Sequence, residues 1–143
     1  MCQIESILQV LHEDMEVYKL VRRCGKDYMG LFMSKIYKLG KKAWSTDFED
    51  EINKKDFSPY LGNIEGGFIH CFPDKFSLIG YAADIKCAFG CGFFDNIAVI
   101  KCIIPAGTKI YKGTTRYWAN FVDSVATPVL IPKEEIDKTT VGI

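Results

Sequence analysis

Asn96-Ile97-Ala98-Val99-Ile100-Lys101-Cys102-Ile103-Ile104 is the stretch on which the fold turns. It is nearly all apolar and does not alternate. Such a run reads as a strand buried on both faces, at the centre of a sheet. Working outward, Pro105-Ala106-Gly107 makes a turn and Thr108–Tyr111 a returning strand. Gly113–Trp118 reads as a loop. Val125–Ile131 reads as a last strand, with Pro128 placing it at an edge or a bulge. The tail KEEIDKTTVGI is expected to be exposed. On the N-terminal side, Pro73-Asp74 opens a helix carrying Phe76, Leu78, Ile79, Ala82 and Ala83, which Gly90 and Gly92 should stop. Gly67–Phe72, GFIHCF, is a further strand.

Residues 45–66 are polar, acids first and lysines next, and read as a solvated or functional loop. Before them, Val17, Tyr18, Leu20 and Val21 are rich in β-formers. The turn Cys24-Gly25-Lys26-Asp27 leads into Tyr28–Met33, which predicts a hairpin. Ile36, Tyr37 and Leu39 start a third short strand that ends near Trp44. Ile4, Ile7, Leu8 and Leu11 follow the i, i+3, i+4, i+7 rule, so residues 3–12 read as an amphipathic helix. The order predicts a single α+β domain over residues 1–143, with a mostly antiparallel β-sheet, a short N-terminal helix and one central helix.

Composition narrows the function classes. Of 143 residues, 48% are hydrophobic, 13% aromatic and 25% charged, which gives a real core and argues against disorder. No apolar stretch approaches the roughly 20 residues a membrane-spanning helix needs. The opening MCQIESILQV lacks a basic leader, so no secretory signal and a cytoplasmic location are expected. Eighteen basic residues balance eighteen acidic ones, which argues against duplex DNA as a partner. Zero net charge with many aromatics favours a homo-oligomer. The six cysteines, at 2, 24, 71, 87, 91 and 102, are expected to be reduced and structural. No CxxC pair exists to suggest zinc, so no metal and no other cofactor is expected.

The chain has no phosphate loop: Gly90-Cys91-Gly92 lacks the third glycine of a dinucleotide fingerprint and follows a helix. GxSxG and HExxH are absent too. Of the two histidines, His12 reads as a surface residue. His70 alternates with Ile69 and Cys71, on the face of Phe68 and Phe72, as either a sheet-face residue or a ligand donor. Arg22-Arg23 ends the first strand with side chains on opposite faces. Arg116-Tyr117-Trp118 sets a guanidinium beside two aromatics, which can hold a phosphate and stack a base or else anchor a loop. GFIH at 67–70 resembles small proteins related to the ADP-ribosyltransferase fold, in which a strand histidine holds a nicotinamide ribose. The tyrosine and late glutamate of that pattern have no obvious counterparts here.

A wider resemblance covers about residues 17–131. Tyr18-Lys19-Leu20-Val21-Arg22, then Leu31–Ser34 and Tyr37–Lys41, are similar to the opening of the first-described Thoeris anti-defence sponge family of small phage proteins. GFIHCF, the helix after it, and the strand ending Val99-Ile100-Lys101-Cys102 resemble that family's later pattern. The N-terminal segment and residues 45–66 depart from its compact form. The resemblance implies a phage protein, acting in the cytoplasm of an infected cell. It would bind a cyclic ADP-ribose-type immune signal without cleaving it, as a symmetric oligomer; some members also hold cyclic oligonucleotides. A sponge needs no catalytic residues. It needs cations for phosphates, aromatics for a base and amides for ribose. Arg22, Arg23, His70, Phe72, Arg116, Trp118 and Asn120 are the residues of those types chosen as ligand-binding candidates. An ADP-ribosyltransferase-like enzyme and a protein-binding inhibitor of a host defence protein are the alternatives.

Overall fold

The computed structural model describes residues 4–32, 35–45 and 68–143. The strands there are β1 (Ile4–Val10), β2 (Met15–Cys24), β3 (Asp27–Gly30), β4 (Ile36–Tyr37), β5 (Ala43–Trp44), β6 (Ile69–Cys71), β7 (Ile97–Ile104), β8 (Lys109–Arg116), β9 (Phe121–Thr127) and β10 (Val129–Ile136). The helix α1 (Lys75–Phe94) lies between β6 and β7, and a short 3-10 helix (Lys138–Val141) follows β10. Every pairing among the described residues is antiparallel. One sheet has the order β1-β8-β9-β6, the other β4-β3-β2-β7-β10-β5.

β7 sits between β2 and β10, and its apolar sequence is the reason. Ala98, Ile100, Cys102 and Ile104 face the core between the two sheets, with Val17 and Val21 of β2 and Ile69, Cys71, Ile110 and Val125 from the other sheet. Ile97 and Val99 turn the other way, with Leu20 of β2, onto Leu78, Tyr81, Ala82 and Ile85. Those four helix positions have i, i+3, i+4, i+7 spacing, one stripe of α1. Each aliphatic side chain buried this way contributes roughly 1.5–3 kcal/mol. Asp74 caps α1 by accepting the Ser77 N–H at 2.7 Å. At Gly80 a Cβ would stand 2.8 Å from Val122 Cγ1, so glycine is what lets α1 lie this close to β9.

The α+β class with mostly antiparallel sheet stands, but there is no short N-terminal helix: residues 4–10 form β1, the edge partner of β8. The pairing steps from Ile4↔Thr114 to Ile7↔Lys112, three residues against two. That bulge lengthens a two-residue alternation to three, and so gave a strand the spacing of a helix. The stretch after Gly113 is likewise strand as far as Arg116, paired residue by residue with β9, and the connection is shortened to residues 117–120. The expected strand Val125–Ile131 is two strands. Pro128, with no N–H to donate, marks the corner where the chain passes from one sheet to the other, and Thr127 Oγ1 accepts the Val129 N–H at 3.3 Å.

The tail is not all exposed: Glu134, Glu135 and Ile136 pair with β7, and Val141 is buried against the helix layer. Gly90, at φ 82°, kinks α1 without stopping it; one more turn follows, closed by the Asp95 N–H on the Cys91 carbonyl. Ile36–Tyr37 and Ala43–Trp44 lie at opposite edges of the six-stranded sheet rather than in one strand. The polar loop expected at 45–66 lies outside the described residues beyond Ser45. Cys71 and Cys102 are buried and free; Cys24, Cys87 and Cys91 are exposed and free. Among the described residues, no helix is long and apolar enough to cross a membrane.

Candidate functional site

Alternation along β2 puts Lys19 on the same face as Val17 and Val21, toward the interior. A partly buried ammonium is stabilised by a partner. Lys19 Nζ donates to the His70 carbonyl at 2.7 Å and lies 5.4 Å from the centroid of the Tyr37 ring. The two segments are also tied by backbone bonds. The Tyr18 N–H donates to the Phe72 carbonyl and the Phe72 N–H to the Tyr18 carbonyl, each at 2.8 Å. Beside this seam is a cavity of about 150 Å³, mostly apolar, walled by Tyr37, Phe68, Phe72 and Tyr81 and lined also by Lys19, Lys35, Ser45 and His70. Lys35 is placed by the tight β3–β4 connection, where the Gly30 N–H meets the Lys35 carbonyl at 3.0 Å. Ser45 is placed by its own N–H, which donates to the Pro128 carbonyl at 2.8 Å.

Among the described residues, two buried side-chain polar atoms have no hydrogen-bond partner: Ser45 Oγ and His70 Nε2. Both residues line this cavity. His70 is 8% exposed. Burial, and next the Lys19 ammonium, lower its pKa to about 4, against a smaller opposing effect of a hydrogen bond to the Phe68 backbone. The ring is therefore neutral near pH 7. A bond that favours the protonated ring is donated to a carbonyl, and Nε2 makes none, so Nδ1 carries the proton and Nε2 is a buried acceptor without a hydrogen-bond partner.

This has a consequence for stability. The unfolded ring takes up its proton near pH 6.5 and the folded ring at about 4. Between those values the unfolded chain binds more protons, so stability falls as pH falls. About 3 kcal/mol should be lost across the window. Urea titrations at pH 7, 6, 5 and 4.5 should show the decline, and His70→Leu should flatten most of it. An equally steep decline in the variant would assign the effect to other groups.

Of the seven sequence-predicted candidates, the structure brings His70 and Phe72 together in the cavity. Arg22 donates from Nε to the Gly30 carbonyl at 3.2 Å, against the backbone of a lining residue. Arg23 is held elsewhere, in a two-pronged contact with Glu135 at 3.0 and 3.3 Å. The Arg116 guanidinium lies over the Phe121 ring, 4.7 Å from its centroid. The Trp118 ring is 64% exposed. The Trp118, Ala119 and Asn120 N–H groups all donate to Asp84 Oδ2, and Asn120 Nδ2 donates to Asp84 Oδ1 and to the Gly80 carbonyl. Trp118 and Asn120 thus belong to a clamp that holds the β8–β9 connection on α1. Tyr117, just before them, stacks on Phe32 with centroids 5.8 Å apart and rings 6° from parallel.

Sequence reasoning passed over Lys19, Lys35, Tyr37 and Tyr81. A signal for the first was present: a lysine between two valines on the core-facing side of a strand. Compared with known proteins, the chain matches no family model, no curated protein and no solved structure.

Proposed function

We propose that this protein binds and holds a small nucleotide-type signal without cleaving it, in the Lys19–His70 cavity. One observation carries the reading: two residues with unpartnered polar atoms, Ser45 and His70, line a ring-walled space beside two lysines. Ring walls suit a base, and lysine ammonium groups suit phosphate. The resemblance to the Thoeris sponge family supports a phage anti-defence role, with a cyclic ADP-ribose-type or cyclic oligonucleotide signal as ligand, in the cytoplasm of an infected cell. The cationic role moves from the three arginines to Lys19 and Lys35. Holding is favoured over turnover because His70, with a pKa of about 4, is a weak base at pH 7, and because the described lining includes no carboxylate.

The test is depletion followed by release. The protein is incubated with each cyclic nucleotide, filtered, and then heated. A sponge removes the ligand from the filtrate and returns it intact. Altered product would instead identify an enzyme, of the ADP-ribosyltransferase type among others. A protein-docking inhibitor is the second reading, favoured by the exposed rings of Phe32, Phe89 and Trp118; failure to deplete any nucleotide would support it. The homo-oligomer belongs to the sponge reading, and light scattering at a mass near 16.2 kDa would count against it.

A further inference from the structure

A sheet edge presents unpaired main-chain donors and acceptors, and folds ordinarily guard it with short strands, charges, proline or a covering element. Among the described residues, three of the four sheet edges are guarded. β4 and β5 are two residues each. β6 is bridged to β2 of the other sheet through Tyr18 and Phe72. β1 is seven residues long and is the end strand beyond β8. The stretch Ser6-Ile7-Leu8-Gln9-Val10-Leu11 has no charged residue and no proline. Its register with β8 is irregular only before Ile7; from Ile7 to Val10 the pairing advances one residue at a time.

The direction of the free groups follows from the end of the strand. The Leu11 N–H donates to the Thr108 carbonyl at 3.0 Å, and the Leu11 carbonyl accepts the Gly107 N–H at 2.7 Å. Main-chain groups alternate sides along a strand, so those of Ile7 and Gln9 also face β8. The N–H and carbonyl groups of Leu8 and Val10 face outward. Leu11 is 7% exposed and Leu8 packs on the cluster of Tyr111 and Ala126, which anchors the strand. Ile7 and Val10 are exposed.

We infer that β1 is a docking edge for β1 of a second copy of this chain. The two strands pair antiparallel about a two-fold axis and join two four-stranded sheets edge to edge. A two-fold pairing sets the strand against itself, so a charge near its centre would meet its own copy. The uncharged run Ser6–Leu11, in a chain of zero net charge, meets that demand. A foreign strand could carry the opposite charge and would need no such neutrality. The interface stands on its own observations, apart from the nucleotide reading above.

The test is amide hydrogen exchange of the native chain, read by NMR at micromolar and at millimolar concentration, with light scattering alongside. The mass should rise to twice 16.2 kDa. Exchange at Leu8 and Val10 should slow by about tenfold or more as their outward amides become hydrogen bonded. Val10→Lys sets a charge on the edge and should keep the chain monomeric. Phe89→Lys, on α1 and equally exposed, should dimerise as the native chain does. A monomer mass at millimolar concentration would overturn the proposal. So would a dimer in which Leu8 and Val10 exchange as fast as in the dilute chain. A dimer that Phe89→Lys abolishes and Val10→Lys spares would overturn it too, by moving the contact to the ring surface. Should Val10→Lys fail to fold, the exchange comparison on the native chain still decides.

Discussion

Asp84→Ala should lower the melting temperature by about 10–15 °C. Asp84 is buried on α1 and accepts three backbone N–H groups and one amide from residues 118–120. Hydrogen bonds to a charged group are each worth about 1.5–3 kcal/mol, and four on one carboxylate do not add fully. A loss of about 3–5 kcal/mol is expected, and for a chain of this length each kcal/mol shifts the midpoint by about 3 °C. Burial alone would raise the Asp84 pKa, but the hydrogen bonds from Asn120, Ala119 and Trp118 outweigh it and hold the carboxyl below its ordinary value. Its contribution is therefore complete above the unfolded carboxylate range and is lost as pH falls through the lowered value. Asp84→Asn keeps the shape and loses the charge, so it should fall between the native chain and the alanine variant. Differential scanning calorimetry at pH 7 and pH 3 checks both statements. A native-like midpoint for Asp84→Ala at pH 7 would mean that the connection is held by the Tyr117 ring contacts instead.

Phe72→Ala should cost about as much, roughly 3–5 kcal/mol, through a different mechanism. The side chain is 2% exposed and packs on Tyr81 with ring centroids 5.0 Å apart. Truncation removes a ring from the helix-side core and widens the cavity beside His70. The backbone bridge to Tyr18 uses main-chain atoms and remains available to alanine. Urea unfolding should thus show a lower midpoint with an unchanged slope. Phe72→Leu should recover most of the stability. Because Phe72 is also a cavity wall, the leucine variant separates folding from ligand affinity: a folded protein with weakened nucleotide binding is the expected outcome.

Legibility in the sequence followed the range of the interactions. β7 was readable because burial on both faces writes a continuous apolar run. The start of α1 was readable because its cap lies within three residues, Asp74 to Ser77. β1 was misread because its bulge is visible only beside β8, more than 100 residues away. The clamp on residues 118–120 was invisible for a related reason. Asp84 looks like any polar helix residue until the β8–β9 connection is laid against it. For the candidate site, His70 and Phe72 stood out because they alternate along one strand. Lys19 lies 51 positions from His70, and the contact between them exists only after β2 and β6 meet. The arginines drew attention as phosphate readers, yet Arg23 is paired with Glu135 and Arg116 lies against Phe121.

The place of β10 has a bearing on how the protein is made. This strand is written late in the chain, yet it lies inside its sheet, between β7 and β5, and pairs with β7, which is buried at six of its eight positions. During synthesis the earlier strands emerge with one side of β7 bare, offering unpaired main-chain groups flanked by isoleucine and valine. Until the ribosome has added the residues through Ile136, that open ladder is a template for any other nascent chain. Fast release and low local concentration should therefore govern soluble yield, more than the stability of the finished molecule does.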